Sequence, residues 1–285
     1  MVIMVLGSGG QLGTAIRKRA QQEKRFSWVF LDRMQADVTK EDTLFAVVDE
    51  IKPGVIINCA ALTNVDDAEK TPETAFDVNG HGAGNAGEAA ARVDAKLIHI
   101  STDYVFEGCG IVEKGIKRPY RETDPTNPLT IYGQSKLLGE QMIQKGKSRH
   151  VILRTAWLYG GANCFVSRII QQAMKGEELN VVIDEIGTPT SVEELGNAIE
   201  MFIENDGEGI FHASCQGQIS RYEFARFILK KAKLNNQVNP VLSTELKRHV
   251  RRPLYSVLEN QRLKQLNLDR FSHWKSALTV YLKSM

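Results

Sequence analysis

Short runs of consecutive apolar residues mark the first half of the chain. They are Val2–Leu6, Trp28–Leu31, Val55–Ile57, Leu97–Ile100 (broken only by His99) and Val151–Leu153. Runs this short and continuous predict strands covered on both faces. Stretches of helical spacing separate them. Thr39-Lys40-Glu41-Asp42 reads as an N-capped helix start, and Thr71 with Pro72 opens a helix running through Asn79 toward Arg92. Gly80, Gly82, Gly84 and Gly87 weaken that second helix in isolation, so close packing on the sheet must support it. Strand–helix alternation of this kind predicts an α/β protein with a doubly wound parallel sheet. Past Gly160 the rhythm loosens. Ser191–Glu194 and Ser220–Glu223 read as capping boxes, and Gly209–His212 between them as a further strand.

The turn after the first strand changes this from a fold to a candidate site. Gly7, Gly10 and Gly13 form G-x-x-G-x-x-G between a strand and a helix that opens at Thr14. Glycines there permit a tight turn, let the backbone approach a pyrophosphate and let helix pack on strand. The helix N-terminus would carry the pyrophosphate, which makes the expected fold Rossmann-like. The second strand ends in Asp32, about 20 residues past the last glycine, where ribose is read. A carboxylate there favours NADH. Arg33 next to it could pair with a 2′-phosphate, so NADPH stays open. Small residues from Cys59 to Val65 leave room at the end of the third strand for a flat ligand. Residues 1–160 are thus expected to bind the dinucleotide and carry the catalytic groups. Residues 161–285 are expected to form a smaller α/β substrate lobe, with segments returning to the first domain.

A second constellation lies at Tyr132 and Lys136, spaced i, i+4 on a helix entered through Asn127-Pro128. A free phenol with a pKa of about 10 is a poor proton source at neutral pH. A neighbouring ammonium favours the phenolate, and so is expected to lower the Tyr132 pKa and make it a usable general acid. Ser101–Tyr104 lies at the carboxyl end of the fourth strand, where ligands bind in open parallel sheets. The following loop, Glu107–Thr126, is long enough to suggest a functional or mobile segment. A net charge of +2 gives no electrostatic footprint for nucleic acid. No apolar run approaches the roughly 20 residues of a membrane span, and the start carries no basic segment of a signal peptide, so the expected location is the cytoplasm. Cys59, Cys109, Cys164 and Cys215 are too scattered for a metal or redox site, and Cys59 reads as a small buried residue, not a nucleophile.

Together the glycine turn, Thr102, Tyr132 and Lys136 resemble the extended short-chain dehydrogenase/reductases. Asn58–Asp66, Ser101–Phe106, Tyr132–Lys136, Arg154–Trp157 and Gly187–Thr190 are similar, more narrowly, to the dTDP-4-dehydrorhamnose reductase family, from Met1 to about Pro253. The resemblance implies reduction of the 4-keto group of a nucleotide-linked deoxysugar by NADH or NADPH, in precursor synthesis for cell-surface polysaccharide. It implies Tyr132 as proton donor, Lys136 as its electrostatic partner and Thr102 as the hydroxyl orienting the ketone, with Asp103 and Trp157 also on the sugar. It further implies Gly10, Gln11, Leu12, Gly13, Asp32, Asp37, Val38, Ala61, Leu62, Thr63 and Val65 along the cofactor. A homodimer is compatible with it. Some members hold a bridging magnesium through a first-helix glutamate. Ala15 stands there in this chain, so no such metal is expected. The substrate's diphosphate needs a basic site of its own, for which Arg252 is the candidate, ahead of Arg251 and Arg248. Tyr104 beside Asp103 lacks the extra carboxylate of a dehydratase. An epimerase that recycles its cofactor, and a regulatory subunit like the methionine adenosyltransferase beta subunit that binds cofactor without turnover, both remain alternatives.

Overall fold

The computed structural model describes residues 1–246 and 250–284. Six parallel strands form the central sheet: β1 (Val2–Leu6), β2 (Ser27–Leu31), β3 (Val55–Asn58), β4 (Lys96–Thr102), β5 (His150–Thr155) and β6 (Gly209–His212). Their order is β6-β5-β4-β3-β1-β2. Continuous apolar runs are required because both faces are buried. Ile3 and Val5 of β1 enter one hydrophobic cluster and Met4 and Leu6 another. Each such side chain contributes roughly 1.5–3 kcal/mol by leaving water. The chain leaves β1 for β2 on one side and returns to β3 on the other. That reversal opens a crevice at the carboxyl ends of β1, β3 and β4.

Four helices set the walls of the crevice: α1 (Gln11–Ala20), α2 (Glu41–Ile51), α3 (Val65–Lys70) and α4 (Gly82–Arg92). Two local expectations fail here. Thr39 does not cap α2, because its hydroxyl donates to Asp37 at 2.7 Å and Lys40 takes the cap position without a side-chain bond. Thr71 holds the cap position before Pro72 but makes no side-chain cap bond. Its hydroxyl donates back to Asp67 O at 2.9 Å and so closes α3. The expected single helix is a turn at Pro72–Ala75, a π-helical stretch Phe76–His81, and then α4. Gly80, Gly84 and Gly87 face the next helix, α5 (Ile131–Lys145), while Gly82 faces Val38. A Cβ on Gly80 would lie 2.7 Å from Leu138, and one on Gly84 2.6 Å from Met142.

The later chain is woven into this frame. Helix α6 (Phe165–Met174) and helix α8 (Arg221–Ala232) pack together over a small parallel pair, Leu179–Val182 with Val238–Val241. Between them, α7 (Val192–Glu204) lies on α1, where Arg19 forks onto Glu200 at 2.7 and 2.9 Å. Strand β6 completes the sheet edge on β5, with Phe211 fully buried. Ser191 and Ser220 do cap their helices, accepting from the N–H groups of Glu194 and Glu223. The Glu194 side chain is drawn instead to Ser272, so that box is half made. The long loop after β4 contains a hairpin, Ile111–Glu113 with Ile116–Arg118. The segment 250–258 holds that loop down through Tyr120 N to Val257 O (2.9 Å) and Tyr255 N to Gly108 O (2.8 Å). No helix among the described residues is long and apolar enough to cross a membrane.

Candidate active site

Gly7 takes φ +71°, and a Cβ on it would meet Ala60 N at 2.6 Å. One on Gly13 would meet Ser8 Cα at 2.6 Å, so α1 can sit tight against the turn only with glycine there. Gly9, by contrast, faces open space. Helix α1 begins with Gly10 as N-cap, no side-chain cap and no acid in its first turn. Its first N–H groups are thus left for an anion, with the helix dipole behind them. These residues fit the pyrophosphate of a dinucleotide. Above them opens a cleft of about 960 Å³.

Most of the expected positions meet in that cleft. Gly10, Gln11, Leu12, Gly13, Ala61, Thr63, Val65, Thr102, Asp103, Tyr132, Lys136, Trp157 and Arg252 all line it. Gly7 lies beneath the turn. Asp32 is exposed at the end of β2, where its Oδ1 accepts the N–H groups of Met34 (2.9 Å) and Gln35 (3.1 Å). Arg33 turns back to Asp37 at 3.3 Å. Asp37 spends its Oδ1 on Thr39, and Val38 is buried in the core with its carbonyl taken by Asn85. Asp37 and Val38 are not among the residues lining the cleft. Leu62 is set by Asn79, which accepts its N–H at 2.8 Å, donates to its carbonyl at 3.0 Å and donates to Ser135 Oγ at 3.0 Å. Asn79 is fully buried and latches the Leu62 loop to α5.

Thr130 caps α5 by accepting from Gly133 N at 3.0 Å, which sets Tyr132 and Lys136 on the inward face. Thr102 neighbours Tyr132 and donates to Asp103 Oδ1 at 3.0 Å. Tyr104 meets Tyr132 edge-on, with centroids 5.4 Å apart. The expected depression of the Tyr132 pKa is not found. Burial pushes the phenol well above its ordinary value, and the neighbouring Thr102 hydroxyl only partly offsets this. The reason lies with Lys136, whose Nζ is committed to Ile100 O at 2.6 Å and His99 at 3.2 Å and is itself lowered to about 8 by burial. Asp103 is pushed up to about 6 by burial, partly offset by hydrogen bonds with Ser256 and Thr102. One turn beyond Lys136, Glu140 takes a two-pronged bond from Arg154 (2.6 and 2.9 Å). Both are buried, so Arg154 anchors the helix to β5 and does not face the cleft.

Trp157 adopts φ +47°, and the Arg221 guanidinium lies 3.5 Å over its ring. Gly187 makes room for the indole, since a Cβ would sit 2.4 Å from Cε2. Arg252 pairs with Asp66 at 2.6 Å, bridging the 250–258 segment to α3 at the cleft wall. Arg251 is exposed, and Arg248 lies outside the described residues. The sequence reading missed Arg221, Arg168 and Glu185, which also line the cleft. Arg221 was hidden inside a capping box, and no spacing rule ties α8 to Trp157. Cys59 lines the cleft too, and burial pushes its thiol up to about 12, out of nucleophile range.

A dinucleotide-ready turn thus faces a hydroxyl–phenol–amine set across one crevice, the layout of the extended short-chain dehydrogenase/reductases. All 285 residues match the family model for the RmlD substrate binding domain, and the chain belongs to that family. It is 38% identical to the dTDP-4-dehydrorhamnose reductase of Mycolicibacterium smegmatis, over 97% of this chain and 83% of that one. It is 36% identical to the spore coat polysaccharide biosynthesis protein SpsK of Bacillus subtilis, over 99% and 96%. Among solved structures, a dTDP-4-dehydrorhamnose reductase from Bacillus anthracis in complex with NADP superposes with TM-score 0.92 at 35% identity, covering 100% and 99% of the two chains. A UDP-glucose 4-epimerase from Thermotoga maritima superposes with TM-score 0.85 at 16% identity over 99% and 98%, a likeness of fold.

Proposed function

We propose that the protein is an NAD(P)H-dependent reductase that converts the 4-keto group of dTDP-4-dehydrorhamnose to the alcohol of dTDP-rhamnose. The observation that carries this reading is that Thr102, Tyr132 and Lys136 share one cleft with the open glycine turn. Gly10 to Gly13 would hold the pyrophosphate, and Ala61, Thr63 and Val65 the neighbouring wall. A nicotinamide held beside them would supply hydride for the keto carbon. Thr102 orients the carbonyl oxygen, and Tyr132 delivers the proton that the developing alkoxide needs. A phenol pushed upward by burial stays protonated at neutral pH, which suits a donor. Lys136 steadies the charge that develops on Tyr132 once that proton leaves. Trp157, backed by Arg221, offers a flat apolar face to the sugar ring, and Asp103 accepts from its hydroxyls. Arg252 is the cation for the substrate's diphosphate, separate from the anion site of α1. The NADP complex of the B. anthracis relative supports acceptance of NADPH beside NADH.

The test is to mix the protein with NADH or NADPH and dTDP-4-dehydrorhamnose and to follow nicotinamide absorbance. Stoichiometric loss of reduced cofactor is expected. Cofactor binding without consumption would replace this reading with that of a binding module, and catalytic use of tightly held NAD with that of an epimerase.

A further inference from the structure

Behind Lys136 runs a line of buried polar groups. Asn58 and His99 are register partners on β3 and β4, and both are buried, as is Lys136. Asn58 Oδ1 accepts the backbone N–H of Ala60 at 3.0 Å. That bond fixes the amide, because the reverse orientation would set its NH₂ against an N–H. Asn58 Nδ2 therefore aims a donor at His99 Nδ1, 3.2 Å away. Nδ1 must then accept, so the neutral imidazole carries its proton on Nε2. That Nε2–H faces Lys136 Nζ at 3.2 Å. An ammonium can only donate and would oppose it. An amine accepts from it and still donates to Ile100 O at 2.6 Å.

We propose that Asn58 and His99 are positioning residues for Lys136: the amide fixes the imidazole tautomer, and the imidazole N–H, aimed at the lysine nitrogen, weakens its hold on its proton in the empty cleft. Lys136 is then a cation whose hold on its proton is weak in the empty cleft and tightens when negative charge enters it. The consequence for turnover rests on the reductase reading, while the hydrogen-bond logic does not. The surrounding charges agree. Burial lowers Lys136 to about 8, and Glu140 and Cys59 push it the other way. Glu140 is taken up by Arg154 and Ser101, while Cys59, with its thiol near 12, and Tyr132 are both neutral. His99 itself is held well below its ordinary range, by burial first and Lys136 second.

The experiment is NMR on the substrate-free enzyme. Histidine ¹⁵N shifts report the His99 tautomer, and lysine ¹³Cε shifts, assigned against Lys136→Met, report the Lys136 titration. Wild type is expected to show Nε2 protonated, Nδ1 bare and a lysine midpoint near 8. In Asn58→Asp the Ala60 N–H keeps its acceptor, but the second oxygen now calls for a proton on Nδ1. Nε2 then becomes an acceptor for the ammonium. The midpoint should rise by at least about one pH unit, a tenfold change in proton affinity. Asn58→Leu removes the lock without adding charge and should show part of that rise, which decides the matter should Asn58→Asp not fold. A wild-type proton on Nδ1, or a midpoint unchanged in both variants, would overturn the proposal. No substrate is present, so an inactive enzyme would overturn the functional reading and leave this result standing.

Discussion

At the scale of single residues, the cleft separates groups that bind from groups that react. Tyr132→Phe removes only the transferable proton, so turnover should fall by roughly 10²- to 10⁴-fold while cofactor affinity stays near wild type. Single-turnover kinetics beside a cofactor titration would check this, and comparable activity in the mutant would remove Tyr132 as the acid. Arg252→Ala should raise the KM for the nucleotide sugar about tenfold, the loss of about 1.4 kcal/mol of binding, with kcat little changed. A shift in the cofactor constant alone would place Arg252 on the wrong ligand. Asp103 carries a pH signature. Its folded pKa is raised to about 6 by burial, so the folded state prefers the protonated acid. The stability contributed by that preference is complete below the ordinary carboxylate value near 4 and is lost as pH rises through about 6. Asp103→Asn should therefore gain nothing at acid pH and up to about 3 kcal/mol above pH 7. Urea denaturation of both proteins from pH 5 to 8 should show the gap widening, and a constant gap would contradict the assignment. The placement of Tyr132 and Lys136 on one helix face was legible from their spacing. Their protonation was not, because spacing cannot show that Lys136 Nζ is engaged by Ile100 O and His99.

At the scale of elements, the position of α5 decides where Tyr132 and Lys136 stand. Its close approach to the π-helical turn depends on Gly139, where a Cβ would lie 2.2 Å from Asn79 O. Alanine normally favours a helix over glycine by about 1 kcal/mol. Gly139→Ala should instead destabilise the protein by about 1–3 kcal/mol, because the helix must move off Asn79. A thermal or chemical midpoint at or above wild type would show that the contact yields. The strands and the glycine turn could be read directly, since a strand buried on both faces needs a continuous apolar run. Helix ends were harder. Thr39 and Thr71 both have the composition of caps, yet their hydroxyls found better partners in Asp37 and Asp67 O. The π-helical register at Phe76–His81 has no period of its own in the sequence. It follows from packing against α5 and from Asn79 reaching Leu62.

At the scale of the whole molecule, the later chain finishes the structure of the earlier one. Strand β6 supplies the sheet edge, α7 covers α1, and buried Lys96 donates to Phe202 O and Asn205 O. A fragment ending at Gly160 would leave β5 as a bare edge and strip the apolar face covered by Leu195, Ile199 and Phe202. We expect residues 1–160 alone to lack cooperative unfolding and a native near-ultraviolet signal, and the full chain to unfold in one transition. A cooperative fragment would show the first 160 residues to be autonomous. Sequence by itself determined the parallel sheet, the anion-ready turn and the shared helix face of Tyr132 and Lys136, because each depends on neighbours within one strand or one helical turn. Tertiary structure alone decided that Arg221 backs Trp157, that Arg252 pairs with Asp66 from 186 residues away, and that Asn58 and His99 stand behind Lys136. Those contacts join separate strands and helices, and a hydrogen bond between distant segments leaves no periodicity in either.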